Sequence, residues 1–411
     1  MLPEPYYMSA NGAVAIYHSN CLVVMAAMEP ESVDSIVTDP PYGLSFMGKD
    51  WDHGVPGEAF WREALRVAKP GAWLLAFGGT RTFHRLACAI EDAGWEIRDT
   101  IGWLYGSGFP KSHDVSKAID KAAGAKREVV GTYDSFRPNT HADTKYNGNL
   151  HTSGRITAPA TDAARQWSGW GTALKPAWEP VIVARKPLIG TVAQNVLTHG
   201  TGGLNIDGCR IGTNDDLNGG GYSGGTPKTM FSGLGRLQPN QFKQPLGRWP
   251  ANIAHDGSEE VLAVFPQTKS GKMMPTRTVA GVNGRSAYGA DAAGGFETME
   301  TYGDSGSAAR FFYCAKASKA DRNSGLPGGV VSNHPCVKPE SLMRYLVRLV
   351  TPPGGIVLDP FMGSASTGKG CAPEGFRFIG IELNDAYCEI AACRCKEAFA
   401  AQRLFRQAAQ A

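Results

Sequence analysis

The stretch IVLDPFMGSASTG, residues 356–368, decides the fold of this chain. Its first four residues, ending at Asp359, predict a short buried strand, and the small residues around Gly363 predict a tight turn that opens a helix. Past that helix, residues 376–381 form a second apolar run, which ends at Glu382. Strand, turn, helix and strand in this order predict a parallel α/β unit whose ligands bind at the carboxyl ends of its strands.

The spacing of Gly363 and Glu382 indicates an adenosyl cofactor. The two residues stand about 20 positions apart, the offset at which an acidic side chain hydrogen-bonds the hydroxyls of a bound ribose. A glycine also lets the backbone approach a ligand closely. S-adenosylmethionine needs that approach at its methionine part and a carboxylate at its ribose, so it fits this pair.

The same run has a second interpretation. Gly363 to Lys369 satisfies the glycine and lysine positions of a nucleotide-triphosphate loop, but Gly370 stands where a magnesium-binding Ser or Thr is required. A DNA-stimulated NTPase and a purely structural strand–turn–helix are therefore the alternatives for this stretch.

A second constellation, Asp39-Pro40-Pro41-Tyr42, follows the predicted buried strand 35–38. These residue types suit an enzyme that methylates an exocyclic amine of a nucleic-acid base. Such an amine is a poor nucleophile because its lone pair is delocalised, so the enzyme must hold both amine hydrogens with acceptors. The Asp39 carboxylate and the Pro40 carbonyl can supply them, and two prolines stiffen the loop and remove competing donors. Tyr42 offers a ring on which an extruded base can stack, worth about 1–3 kcal/mol. An ordinary polar turn is the alternative.

Together the two constellations resemble the DNA amino-methyltransferases of the permuted β group, in which the catalytic loop precedes the cofactor loop. The resemblance is carried by Asn20-Cys21-Leu22, residues 38–43, Glu179-Pro180-Val181, residues 333–339, residues 359–363 and Ile381-Glu382. It implies a seven-stranded Rossmann-like class I methyltransferase fold, circularly permuted, with an inserted target-recognition region. It also implies S-adenosyl-L-methionine as cofactor, double-stranded DNA as partner and, by analogy alone, a homodimer.

The resemblance further implies roles for individual residues. The catalytic loop is Asp39, Pro40, Pro41 and Tyr42, which would receive a flipped base and let its amine attack the methyl group directly. Asp at the first loop position is more typical of adenine N6 than of cytosine N4 targets, so N6-adenine is the predicted target and N4-cytosine the alternative. The implied cofactor-binding residues are Asn20, Cys21, Asp39, His334, Lys338, Pro339, Asp359, Phe361, Gly363, Ser364 and Glu382. Three positions depart from the family pattern, namely Asn20, Cys336 and Ala365, where Asp, Thr and Gly are usual.

Basic charge is concentrated between residues 217 and 290, where eight Lys or Arg stand against three acids. Such a stretch, rich in Gly, Pro and amide side chains, suits phosphate contacts and base-edge readout, and it is the predicted target-recognition segment. A solvated surface insertion is the alternative. The predicted DNA-binding residues are Lys228, Arg236, Lys243, Arg248, Lys269, Lys272, Arg277 and Arg285.

Length and composition set the organisation. With 411 residues, 42% of them hydrophobic, the chain is long enough for two domains or for one with a sizeable insertion. The order of the motifs and the resemblance then imply residues 1–187 as the catalytic half, 188–325 as the target-recognition region and 326–411 as the cofactor-binding half. Residues 105–172 lose periodicity and predict a mobile loop that closes on DNA or cofactor. The nine cysteines contain no C-x-x-C pair, and the chain has neither a signal pattern nor an 18-residue apolar run. We therefore expect a cytoplasmic protein that neither contacts a membrane nor requires a metal. As an alternative to the enzymatic function, the chain could be a non-catalytic DNA-binding regulator.

Overall fold

The computed structural model describes residues 2–44, 54–108, 112–137, 150–213, 246–269, 277–278, 296–297, 305–315, 321–327, 332 and 337–410. The strands are β1 (Tyr7–Met8), β2 (Val14–His18), β3 (Val33–Thr38), β4 (Ala68–Phe77), β5 (Glu96–Leu104), β6 (Val129–Arg137), β7 (Leu150–Thr157), β8 (Trp178–Arg185), β9 (Ile253–His255), β10 (Gln267–Lys269), β11 (Arg277–Thr278), β12 (Phe296–Glu297), β13 (Ser305–Ser307), β14 (Tyr313–Cys314), β15 (Ile356–Asp359) and β16 (Arg377–Glu382). The helices are α1 (Cys21–Ala27), α2 (Glu58–Val67), α3 (Phe83–Asp92), α4 (Val115–Ala122), α5 (Asp162–Gln166), α6 (Val192–His199), α7 (Glu259–Leu262), α8 (Glu340–Val350), α9 (Ser366–Glu374) and α10 (Asp385–Gln410), with two 3₁₀ turns at Asp207–Cys209 and Ala308–Phe311.

A ten-stranded sheet forms the centre, in the order β1-β2-β16-β15-β3-β4-β8-β5-β9-β14. Strands β2, β16, β15, β3 and β4 are parallel, and β8 runs antiparallel to both of its neighbours. The predicted α/β class is confirmed. The seven strands β2, β16, β15, β3, β4, β8 and β5, each of four to ten residues, make up the body of the sheet. Three strands of two or three residues, β1, β9 and β14, extend its edges beyond the predicted number of seven.

The two ends of the chain meet inside this sheet. Strands β15 and β16, from the last quarter of the sequence, insert between β2 and β3 from the first. The catalytic and cofactor halves predicted from sequence are therefore parts of one sheet, and their ligand loops leave neighbouring strands. Circular permutation relative to other proteins stays a prediction.

Both faces of the sheet are covered, which explains why its strands read as continuous apolar runs. Val37 and Leu75 point to the layer of helices α8, α9 and α10, whereas Ile36 and Leu74 point to the layer of α1, α2 and α3. Side chains alternate between the faces because a strand has a period of two. Each fully buried leucine contributes about 1.5–3 kcal/mol, so these layers fix the strand ends that carry the site.

The segment predicted as an irregular loop, 105–172, is more regular than its sequence suggests. It contains α4, the antiparallel pair β6–β7 and α5. The buried carboxylate of Asp120 ties them together, because it accepts hydrogen bonds from Arg127 at 2.7 Å and from the Thr161 backbone amide and hydroxyl at 3.0 and 2.8 Å. Sequence periodicity missed this unit because its elements are short and largely exposed.

Among the helices of the described residues, none combines the length and the apolar character needed to cross a bilayer.

Candidate active site

The predicted site residues converge at one edge of the sheet. Asp39 directly follows β3, the turn around Gly363 follows β15, and Glu382 ends β16. These three strands are parallel and adjacent, so their carboxyl ends meet at the same edge. The residues that sequence analysis placed in two separate constellations therefore lie together.

Asp39 is part of a cluster of charged and polar groups. One carboxylate oxygen lies 3.0 Å from the ammonium nitrogen of Lys338, and the other accepts a 2.8 Å hydrogen bond from the Tyr42 hydroxyl. Glu179 joins the cluster, since its Oε2 lies 2.9 Å from Lys338 Nζ and 3.2 Å from the Tyr42 hydroxyl oxygen. Two carboxylates thus face one ammonium and one phenol.

Tyr42 is held both through its backbone carbonyl and through its hydroxyl group. Its carbonyl accepts a 2.6 Å hydrogen bond from the Thr82 hydroxyl, at the start of α3, and its hydroxyl is held by the carboxylates. Its ring packs so closely on Gly79 that a Cβ built there would lie 3.1 Å from Tyr42 Cδ2. Burial, and then the negative charge of Asp39, raise the pKa of Tyr42 well above its ordinary value, so the hydroxyl stays protonated and donates. Of the two loop prolines, Pro40 is buried and Pro41 half-buried.

Asp359 connects the two ligand loops. Its fully buried carboxylate accepts 2.6 Å hydrogen bonds from the hydroxyls of Thr38 and Thr367, and a 3.2 Å bond from the Phe361 amide. Burial raises the pKa of Asp359 to about 7, and the nearby charge of Asp39 adds to this, while the three donors act in the opposite direction. Through these contacts Asp359 holds the catalytic loop and the glycine turn in position relative to each other.

The turn after β15 is formed as the sequence predicts. The Gly363 amide donates a 2.9 Å hydrogen bond to Glu382, whose other oxygen accepts from the Asn384 amide at 2.8 Å. Gly363 has a φ of +52°, and Ala365, where the resembled family usually has Gly, has a φ of +57°. The methyl of Ala365 therefore does not prevent the left-handed conformation that this turn requires.

The remaining implied cofactor residues lie around this turn or at helix starts. Phe361 is half-buried, with its ring 5.9 Å from that of Phe60 and 6.1 Å from that of Trp61, measured between centroids. Asn20 caps α1 by accepting a 2.9 Å hydrogen bond from the Leu22 amide. Other placements are as follows: Cys21 is the buried first residue of α1, Pro339 precedes the first residue of α8, Ser364 is buried and accepts a 2.9 Å hydrogen bond from Arg394, and His334 lies outside the described residues.

These groups suit an adenosyl cofactor. A carboxylate offers about four lone-pair positions, and the backbone amides that donate to Glu382 do not fill all of them, which leaves acceptor capacity for a ribose hydroxyl. Burial raises the pKa of Glu382, and the amides that it accepts from counter this by favouring the ionised form. The half-buried ring of Phe361 supplies an apolar surface beside the same turn.

The nucleotide-triphosphate interpretation of Gly363 to Lys369 is not supported by the position of the lysine. Lys369 lies inside α9, with 3% of its side chain exposed, and its ammonium lies 3.0 Å from Glu340 Oε2 and 2.8 Å from the Ser324 hydroxyl oxygen. It points into the packing between helices and cannot reach a phosphate at the turn without breaking this pair.

The predicted DNA-binding residues fall mostly outside the described part of the chain. Arg248 is half-buried, hydrogen-bonded to the Thr213 hydroxyl at 2.6 Å, with its guanidinium 4.8 Å from the centroid of Phe311. Lys269 is exposed at the end of β10, and Arg277 lies opposite Glu297 in the β11–β12 pair. Lys228, Arg236, Lys243, Lys272 and Arg285 lie outside the described residues.

Glu179 is a site residue that was not predicted from the sequence. The predicted site residues lie at the carboxyl ends of strands, whereas Glu179 stands near the amino end of β8. Because β8 is antiparallel to β4, that end lies beside the carboxyl end of β4, where the Gly78 amide donates to the Pro180 carbonyl at 2.9 Å. The sequence signals were an acidic residue just before an apolar strand and the segment Glu179-Pro180-Val181 in the family resemblance, and neither gives the direction of the strand.

Comparison with known proteins gives one long match and several short or distant ones. The family model described as "DNA methylase" matches residues 33–393. The chain is 47% identical over 58 residues to the DNA adenine methyltransferase YhdJ of Escherichia coli K12, covering 14% of this chain and 20% of that protein. It is 45% identical over 56 residues to the Type II methyltransferase M.XycI of Xanthomonas campestris pv. cyanopsidis, covering 14% of this chain and 19% of the other. The matches thus span about a fifth of the length of these curated relatives.

Among solved structures, the M1.HpyAVI–SAM complex is 16% identical with a TM-score of 0.39, over 93% of this chain and 98% of that one. The cytosine-N4-specific PvuII DNA methyltransferase is 12% identical with a TM-score of 0.44, over 97% of this chain and 94% of that one.

Proposed function

The chain belongs to the DNA methylase family whose model matches residues 33–393, and we propose that it transfers a methyl group from S-adenosylmethionine to an exocyclic amine of a base in double-stranded DNA. The observation that carries the proposal is the position of Asp39, at the end of a strand next to the one that leads into the Gly363 turn. An acceptor for an amine and a site for a methyl donor are thereby adjacent, as a direct transfer requires.

Three residues support the place of the cofactor. Glu382 would accept from the ribose hydroxyls, Phe361 would pack on the adenosyl part, and the backbone at Gly363 would approach the methionine part. Bound there, S-adenosylmethionine would supply a methyl group attached to a positively charged sulfur. When the amine takes the methyl group, the sulfur would keep the electron pair of the broken carbon–sulfur bond. The protein's part is to hold the amine and to accept the proton that it loses.

Adenine N6 is the target that we propose. Asp at the first position of the catalytic loop favours it, and the Escherichia coli relative is named as a DNA adenine methyltransferase. Residues 188–325 would then read the DNA sequence, and the protein would act as a homodimer in the cytoplasm. Each of these points is separable from the transfer reaction itself.

The reaction can be tested with purified protein, methyl-labelled S-adenosylmethionine and genomic DNA from a bacterial strain without DNA methylases. We expect label in the DNA and N6-methyladenine after complete digestion and mass spectrometry. N4-methylcytosine would correct the base and keep the reaction class. Asp39→Ala should abolish transfer and leave the binding of S-adenosylhomocysteine largely intact, because Asp39 is proposed to hold the amine and the cofactor keeps its proposed contacts with Phe361, Gly363 and Glu382. Transfer by Asp39→Ala at the parent rate would contradict the mechanism.

A further inference from the structure

The ammonium of Lys338 is held at one point by three oxygen atoms. Its nitrogen lies 3.0 Å from Asp39 Oδ2, 2.9 Å from Glu179 Oε2 and 3.1 Å from the Tyr42 hydroxyl oxygen. The ring centroid of Phe77 lies 4.7 Å from the same nitrogen, within the range of a cation–π contact. A nitrogen with several N–H groups is therefore surrounded by acceptors at the edge of the sheet where Asp39 lies.

We propose that this point is the binding position of the target amine, that Glu179 contacts the amine together with Asp39, and that the ammonium of Lys338 occupies the position in the free protein. The inference rests on the proposed function and deepens it, since the sequence pointed to the Asp39 carboxylate and the Pro40 carbonyl as the acceptors of the amine and not to Glu179. We name the point between the Asp39 and Glu179 carboxylates the amine position.

Charge explains why two carboxylates suit this role. The nitrogen of an exocyclic amine gains positive charge as it takes a methyl group, and a position that already holds an ammonium between two carboxylates is complementary to that charge. The same carboxylates can accept the proton that the nitrogen releases. Neutral acceptors could also hold the uncharged amine but would stabilise the charged nitrogen much less.

The surroundings keep Glu179 in place. It lies in β8, between β4 and β5, and it is the register partner of Trp103. About a quarter of its side chain, 23%, is exposed to solvent, so its carboxylate is accessible from outside the sheet. Lys338, by contrast, has a long flexible side chain, and its ammonium can leave while Pro339 and α8 stay in position.

A small amine tests the position without any methyl transfer. Lys338→Ala removes three methylene groups and the ammonium, which n-propylammonium replaces. We expect n-propylammonium to bind Lys338→Ala saturably by calorimetry and to raise its melting temperature, with no such effect on the parent protein. In Lys338→Ala/Glu179→Gln the binding should weaken by about tenfold or more, because one charge-assisted contact is lost. Equal binding to both variants, or to the parent, would overturn the proposal.

Kinetics then separate a role at the amine from a structural role. On unmethylated genomic DNA, we expect Glu179→Gln to lower kcat by about 10- to 100-fold and to leave the Kd for S-adenosylhomocysteine within about twofold. The matched control is Glu96→Gln, at the opposite end of the β5–β8 pair, where Glu96 lies 2.7 Å from Arg185. This control should change neither quantity. An unchanged kcat in Glu179→Gln would remove Glu179 from the amine position.

The two proposals can fail separately. If the parent protein transfers no methyl group to DNA, the proposed function fails, and the binding of n-propylammonium still decides whether the amine position exists. If the parent is active and n-propylammonium inhibits Lys338→Ala in competition with S-adenosylmethionine and not with DNA, the position belongs to the cofactor and the present inference is wrong. Competition with DNA alone is the expected result.

Discussion

The hydroxyl of Thr38 donates a 2.6 Å hydrogen bond to the carboxylate of Asp359, and this bond joins β3 to β15 where the catalytic loop and the glycine turn begin. Both residues are buried, at 0% and 2% exposure, so water cannot replace either partner. The bond sets the relative position of the two loops, and the geometry of the site depends on it.

Thr38→Val should therefore destabilise the protein although valine and threonine have nearly the same shape. Valine fills almost the same volume but leaves the buried Asp359 oxygen with one donor fewer, a loss of about 1–3 kcal/mol in the free energy of unfolding. Thr38→Ser keeps the hydroxyl and removes one methyl group, which should cost about 1 kcal/mol or less. Urea unfolding of both variants at neutral pH measures the difference. A Thr38→Val variant as stable as Thr38→Ser would show that the bond contributes little.

Asp359 should also make stability depend on pH. Its pKa is raised to about 7 in the folded protein, so between about pH 4 and pH 7 the folded state binds more protons than the unfolded state. The free energy of unfolding should then fall as the pH rises through this window, by up to about 1.4 kcal/mol per pH unit from this group. Asp359→Asn should remove that part of the slope. Urea unfolding of the parent and of the variant across the window tests it, and identical slopes would contradict the assignment.

The sequence predicted those parts of the site that depend on local order. Asp39, Gly363 and Glu382 could be found because each lies at or just after the carboxyl end of an apolar strand, and parallel strands bring such ends together. Glu179 and the contact of Lys338 with Asp39 could not, since they depend on β8 running antiparallel and on a side chain reaching across from the segment before α8. The unit containing α4 and α5 was missed because its elements are short and largely exposed, and because the Asp120–Arg127 ion pair that connects them, at 2.7 Å, has no signature in the apolar pattern of the sequence.

Ala365 offers a test of backbone strain in the cofactor turn. At a φ of +57°, a side chain costs about 1–2 kcal/mol that glycine avoids. Its buried methyl contributes about 0.8 kcal/mol in return, so Ala365→Gly should change stability by less than about 1 kcal/mol. Ala372→Gly is the control, because Ala372 is equally buried but lies in helix α9, where glycine loses both burial and helix propensity, about 1–2 kcal/mol together. Melting temperatures compare the two, and equal losses would argue against strain at Ala365.

The pair of Lys369 and Glu340 should respond unequally to removal of its two partners. With Lys369 3% exposed and Glu340 35% exposed, Glu340→Ala leaves a buried ammonium without its carboxylate, whereas Lys369→Met leaves a carboxylate that water can reach. We expect Glu340→Ala to cost about 2 kcal/mol or more and Lys369→Met, which keeps the side-chain volume, about 1 kcal/mol or less. Because Lys369 points away from the turn, Lys369→Met should leave the Kd for S-adenosylhomocysteine unchanged, and calorimetry should detect no saturable ATP binding to the parent. A greater loss of stability in Lys369→Met than in Glu340→Ala would show that the charge of Lys369 has a role beyond this pair.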